Sequence, residues 1–188
     1  MNTLATSREE ILQKARDIAL TKGMEALNIR GVAAACGIAV GTVYHYFPDK
    51  AALVIAVIGQ IWQEIFAPVM QGGPWTAFLP MVRAVGDCVA QGAEKYPGFF
   101  TQHALVVKND RRGQEAMQDA FAHMRAMLTD ALLRDQLYGG LEWRPPVTPQ
   151  ALAELVLDFY RMEVLLGRSR SALLEALLRD ALEARRKG

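Results

Sequence analysis

Apolar positions recur at helical spacing almost from end to end of the chain, and strand-like alternation bounded by turn residues is missing. Ile11, Ala15, Ile18 and Ala19 share one face. Ser7 precedes them with Glu10 three residues on, the spacing at which a hydroxyl and a carboxylate satisfy each other's backbone donors, and Gly23 stops the helix. Asn28 is placed to cap a second helix with Ile29, Val32, Ala33 and Cys36 on one side and Gly37 at its end. A third helix is expected over about residues 40–47. Pro48 suits the first turn of a fourth, with Asp49 near its positive end, and Leu53, Val57, Ile61 and Ile65 carry it to about residue 70.

Breaks follow at "GGP" (72–74) and "YPG" (96–98). They frame a fifth helix from near Trp75, with Phe78, Val82, Val85 and Val89 inward, and a shorter one reaching about Val107. "KNDRRG" reads as a polar loop, and a helix over about 114–137 places Met117, Phe121, Met124 and Leu128 on one side. "YGGLEWRPPVTP" is the clearest loop. Thr148 caps a helix from Pro149 to about 166, and the last helix covers about 171–186. The fold class is therefore all-α, without internal repeats.

Composition narrows the classes. Of 188 residues, 52% are apolar and 22% charged, which suits a packed core rather than a disordered chain. With 21 basic and 20 acidic residues the net charge is +1, so any surface for nucleic acid must be local. Cys36 and Cys88 stand alone among apolar residues, as buried free thiols in a reducing cytoplasm would. The opening "MNTLATSREE" has no apolar run of the kind a secretion leader carries, and "AALVIAVIG" is about half a membrane span, so no membrane partner is expected. His45, His103 and His123 lack metal-ligand spacing, and no phosphate loop, nucleophile elbow or zinc-protease motif is present. Neither enzyme activity nor a metal or cofactor is expected.

The first fifty residues carry the chemistry. Two short helices joined by a glycine turn have the form of a helix-turn-helix, whose second helix enters the major groove. Ile38, Val43 and Phe47 plug that helix onto the first two, leaving Ala39, Val40, Thr42, Tyr44, His45 and Tyr46 outward. Hydroxyls donate to phosphate oxygens without carrying charge, and Lys50 adds its ammonium beside the free N–H groups of the next helix. Beside a helix N-terminus a lysine is otherwise unfavourable.

The stretch "IRGVAAACGIAVGTVYHYFPDKAAL" resembles the tetracycline-repressor (TetR) family of bacterial transcriptional regulators. The family pattern falls, without gaps, on Asn28, Val32, Ala33, Cys36, Gly37, Ile38, Ala39, Gly41, Thr42, Val43, Tyr44, Tyr46, Phe47, Asp49, Lys50 and Leu53, with Asn28 in place of the usual Thr before the second helix, where it caps equally well. The resemblance implies that the third helix reads bases, that Thr42, Tyr44, Tyr46 and Lys50 approach the DNA backbone, and that Arg30 lies where some members reach a guanine, whose O6 and N7 one guanidinium can bond together. The usual Ser or Thr before the third helix is Ala39 here, so one backbone donor loses its side-chain cap. With Val40 also apolar, base readout leans on thymine methyls, His45 and Arg30.

The resemblance further implies an all-helical sensor and dimerisation region, giving a helix-turn-helix domain at 1–50 and a ligand-sensing domain at 51–188. Trp62, Phe66, Phe78, Phe99, Gln102, His103, Phe121, Met124 and Phe159 are the candidates to meet a hydrophobic or aromatic effector, since binding sites are mostly apolar with a few polar groups. Leu155, Phe159, Met162, Leu166, Leu173, Leu174, Leu177, Leu178 and Leu182 form apolar stripes on the last two helices, suited to a four-helix dimer interface. The expected function is a cytoplasmic, homodimeric repressor that binds a palindromic operator in double-stranded DNA and is released by a small molecule. The alternative is a ligand-binding or protein-interaction module that keeps the fold without operator binding.

Overall fold

The computed structural model describes the backbone of residues 6–108, 110–168 and 171–187, and the side chains of 6–103, 110–168 and 171–186. Its regular elements are α1 (Arg8–Lys22), α2 (Ile29–Cys36), α3 (Val40–Tyr46), α4 (Lys50–Gln71), α5 (Phe78–Lys95), α6 (Phe99–Lys108), α7 (Arg111–Arg134), α8 (Pro149–Leu165) and α9 (Ser171–Lys187), with a 3-10 turn at Met24–Ala26. Among the described residues there is no strand. The all-α expectation holds.

The chain divides into two compact units, Met1–Glu64 with Gln102–Gln114, and Ile65–Thr101 with Glu115–Gly188. Compactness does not part at residue 50, because α4 is one continuous helix that begins there and contributes to both units.

In the first unit the expected caps are present. Glu10 N–H donates to Ser7 Oγ at 3.1 Å while Ser7 N–H donates to Glu10 Oε2 at 2.9 Å. Asn28 Oδ1 accepts from Gly31 N–H at 2.7 Å. Ile11, Leu27, Val32, Val43, Phe47 and Leu53 are all at most 2% exposed and form the core. Arg16 Nη1 donates to Glu64 Oε2 at 2.6 Å, tying α1 to α4.

In the second unit α5 packs on α8 and α9. The crossing depends on Gly86, where an added Cβ would lie 2.6 Å from the Tyr160 hydroxyl and 3.0 Å from Ser171 Oγ. That hydroxyl donates to Val82 O at 2.8 Å, and burial pushes the phenol's pKa up. Arg83 forks onto the buried Glu175 through Nε at 2.8 Å and Nη2 at 2.6 Å, holding that carboxyl below its ordinary range.

Several boundaries differ from expectation, each for a local reason. Pro48 lies outside α4, and Asp49 is its cap rather than a first-turn residue: its carboxylate accepts from Ala52 N–H at 2.6 Å. α5 starts at Phe78, not near Trp75, whose indole N–H instead turns back to Val69 O at 2.8 Å. The polar loop before α7 is shorter than expected, since helix begins at Arg111; Asn109 lies outside the described residues. α7 ends at Arg134 because the buried Asp135 takes the next donors, Leu137 N–H at 2.9 Å and Tyr138 N–H at 3.3 Å. The other carboxylate oxygen accepts from Phe78 N–H at 2.7 Å, supplying the acceptor that Ala77 lacks at the start of α5.

Cys88 is buried but Cys36 is only half-buried; both are free thiols, and burial pushes both up. α4 is longer and more apolar as a whole than its longest uninterrupted run suggested, and it is long and apolar enough to cross a membrane by length and composition only, a test that the core helix of a soluble protein also passes. Its Leu53, Val54, Val57, Ile58, Ile61, Ile65 and Val69 are buried within the protein, the face a core helix presents.

Gly86→Ala is expected to destabilise the fold by about 1–3 kcal/mol in urea unfolding, because the new methyl displaces the Tyr160 hydroxyl. Part of that loss should return when Tyr160→Phe is added, since the colliding oxygen is then gone.

Candidate nucleic-acid interface

Gly37 adopts φ 66° and ψ 31°, the left-handed region that a side chain makes costly. The turn lets Gly37 N–H reach Ala34 O at 3.2 Å and Ile38 N–H reach Ala33 O at 3.0 Å, closing the end of α2. Three residues later α3 begins. Val43 is fully buried and Phe47, just past its end, is 2% exposed; Ile38 is half-buried. With the helix seated on those side chains, its 3.6-residue period leaves Val40, Gly41, Tyr44 and His45 exposed, alongside Ala39 at the cap, and Thr42 half-buried. Tyr44 is 50% exposed, with its ring turned away from the core that Val43 and Phe47 fill. Ala39 makes no side-chain cap, as its methyl requires.

Tyr46 departs from the expected outward set. It is half-buried, and its hydroxyl donates to Thr6 O at 2.9 Å. Its single proton is therefore directed at the chain entering α1, and it straps that segment to α3 instead of offering a donor to phosphate. The His45 ring rests edge-on against it, with centroids 5.2 Å apart. The remaining expected contacts are exposed: Arg30 in the first turn of α2, and Lys50 as the first residue of α4.

Two neighbours were not anticipated. The Arg8 guanidinium lies 5.1 Å from the centroid of the Phe47 ring, a cation–π contact at the junction of α3 and α4. Arg112 reaches Asp49, the cap preceding Lys50, across 63 positions of sequence. The adjacent basic and acidic residues of "KNDRRG" were visible, but periodicity pairs residues three or four apart and is silent on such a separation.

The candidate effector residues fall in both units. In the first, His103 is buried with its ring 5.2 Å from that of Trp62, edge to face, and Gln102 is half-buried. In the second, Phe78, Phe99 and Met124 are buried while Phe66, Phe121 and Phe159 are half-buried. An open hollow of about 420 Å³ on α7 and α8, lined by Ala122, Arg125, Ala126, Thr129, Asp130, Leu133 and Gln150, includes none of them.

The candidate dimer residues divide sharply. Leu155, Met162, Leu166, Leu173 and Leu177 are 49–59% exposed, with Leu165 beside them. Phe159 is half-buried. Leu174, Leu178 and Leu182 are at most 5% exposed and belong to the chain's own core, so they are not available to a partner. The stripe on α9 is wide enough to serve two faces, and the side nearer α5 is taken up within the chain.

Tyr46→Phe is expected to lower stability by about 0.5–1.5 kcal/mol in urea unfolding, with the salt dependence of binding to duplex DNA unaltered. Tyr44→Phe should do the reverse, leaving stability unchanged and weakening DNA binding in a filter or anisotropy titration.

Residues 11–57 match the family described as bacterial regulatory proteins, tetR family. The HTH-type transcriptional regulator UidR of Escherichia coli K12 is 37% identical over 158 residues, covering 81% of this chain and 76% of UidR. The HTH-type transcriptional repressor KstR of Mycolicibacterium smegmatis is 40% identical over 60 residues; that similarity spans only 32% of this chain and 29% of KstR. Among solved structures, Salmonella enterica GusR superposes with a TM-score of 0.68 at 17% identity, over 92% of this chain and 93% of GusR. The multidrug binding protein EbrR, in complex with proflavin, superposes with a TM-score of 0.63 at 18% identity, over 92% of this chain and 98% of EbrR. The helix-turn-helix geometry, the gapless motif and the extended similarity to UidR agree: the chain belongs to the tetR family of bacterial regulatory proteins, transcriptional regulators rather than enzymes.

Proposed function

We propose that this regulator is a cytoplasmic repressor that binds a palindromic operator as a homodimer and is released by a hydrophobic or aromatic small molecule. The observation that carries the DNA half is the exposure of Val40, Tyr44 and His45 on a helix whose inner side is fully engaged, with exposed Lys50 heading the next helix. Val40 offers apolar contact to thymine methyls, His45 and Arg30 offer donors to base edges, and Thr42, Tyr44 and Lys50 offer donors to phosphate. Ala39 gives the backbone room to approach. Residues 1–50 take this role and 51–188 sense and dimerise.

Homodimerisation draws support from the exposed Leu155, Met162, Leu166, Leu173 and Leu177, a concentration of large apolar side chains that water tolerates poorly. A twofold pair presents two recognition helices to successive major-groove segments, as a palindrome requires. The effector reading draws on the aromatic and methionine content of α4–α8, with Phe66, Phe121 and Phe159 half-buried in the second unit, and on EbrR, whose structure is in complex with proflavin. The effector acts by favouring dimers whose recognition helices are misplaced, with α4 as lever, and only to the extent that it binds the two states differently.

Lys50→Ala is expected to weaken binding to all duplexes alike and to lower the salt slope by about one unit; unchanged affinity at low salt removes Lys50 from the interface. Arg30→Ala should cost about 1–3 kcal/mol at one operator base pair, read by comparing single-base variants of a selected site; an equal loss on random duplex overturns the guanine role. Leu177→Asp should yield monomers in sedimentation with the fold intact, because Leu177 is 59% exposed in the single chain.

A further inference from the structure

The end of α4 that carries Lys50 is held by a charged group from a distant part of the sequence. Arg112, in the first turn of α7, donates from Nη1 to Asp49 Oδ2 and from Nη2 to Asp49 Oδ1, both at 3.2 Å. The same guanidinium donates to Asp110 from Nε at 3.1 Å and from Nη2 at 2.7 Å. Asp110 Oδ1 also accepts from Arg112 N–H at 2.9 Å, so the arginine is anchored at its own backbone before it reaches across. All of these residues lie in the first compact unit.

Asp49 is not a spare surface carboxylate. It accepts from Ala52 N–H at 2.6 Å and so caps α4, one residue before Lys50. The cap sets where the first turn of α4 begins and hence where the Lys50 side chain leaves the helix. A carboxylate in that place also opposes any phosphate that approaches, and a guanidinium forked onto it counters that charge. The Arg112–Asp49 pair is half exposed on both sides, and a pair so exposed contributes little to folding. Its geometry is bidentate nonetheless, which restricts direction more than a single contact does.

We propose that Arg112 is a positioning residue for DNA binding: through Asp49 it fixes the first turn of α4 and neutralises its cap, so that Lys50 meets the phosphate backbone in place. The inference rests on the reading of Lys50 as a phosphate contact. A random-sequence duplex is a sufficient probe, because that contact is blind to sequence. Binding of the full-length chain is measured across a salt series for the unaltered protein and for Arg112→Ala, Asp49→Asn, the double variant and Lys50→Ala, with circular dichroism and thermal unfolding of each. Asparagine keeps the oxygen that caps Ala52 N–H but removes the charge that Arg112 holds.

Arg112→Ala is expected to weaken binding about threefold at low salt with the slope unchanged, and to have no further effect when Asp49→Asn is already present. An equal loss in both backgrounds with the slope lowered by about one would mean that Arg112 meets phosphate itself, and overturns the positioning role. No loss in either background overturns it as well. If Lys50→Ala binds as tightly as the unaltered chain with the same slope, the Lys50 contact and this inference fall together. If Lys50→Ala weakens binding while Arg112→Ala does not, the inference alone fails.

Discussion

The seating of α3 by Val43 and Phe47 is the constraint on which the helix-turn-helix depends. Both side chains are almost wholly withdrawn from water, a gain of about 1.5–3 kcal/mol each when fully buried. Phe47 lies just past α3 and just before Pro48, so one buried ring sets the end of α3 and the approach to α4. Gly37 makes the arrangement possible, since only its left-handed backbone lets α2 close and the chain turn back within a few residues. Once the inner side is fixed, helical geometry dictates which residues stand outside. Tyr46, close to the boundary between the two sides, turns to the N-terminal segment and becomes part of the frame.

A chain with a net charge of +1 that engages a polyanion must place its cations well. In the proposed reading Lys50 gains from the unsatisfied N–H groups of the first turn of α4, but the same turn needs an acceptor at its cap. Asp49 provides it and brings a negative charge into the wrong neighbourhood. Arg112 draws on that charge, with its own orientation fixed by Asp110, whose carboxyl is held down at about 2 chiefly by the hydrogen bonds from the guanidinium. Capping and phosphate binding thus make opposite demands on one position, and a cation contributed from outside the helix-turn-helix reconciles them.

The second unit shows how one apolar stripe serves two purposes. On α9, Leu174, Leu178 and Leu182 turn into the core while Leu173 and Leu177 remain outside. Residues adjacent in sequence are about 100° apart around a helix, so a run of paired leucines presents two neighbouring faces. The inner face is secured by α5, where Gly86 admits the Tyr160 hydroxyl and Arg83 forks onto Glu175. The outer face stays available, and with the exposed leucines of α8 it is the surface proposed for a second copy of the chain.

The sequence by itself determined the helical class, the Ser7, Asn28 and Thr148 caps, the glycine turn and the family, because each is written in residues a few positions apart. Spacings of three and four are local physics, and a cap joins neighbours. Only the tertiary structure decided which of two similar residues does what: Tyr44 outward but Tyr46 strapped to Thr6, Leu177 exposed but Leu178 in the core. It also decided that Trp75 turns back onto Val69, that Asp135 caps α5 from beyond α7, and that Arg112 holds Asp49. The periodicity of a segment shows that a face exists, whereas the choice of what covers it depends on chain brought near from tens of residues away, where no local rule reaches.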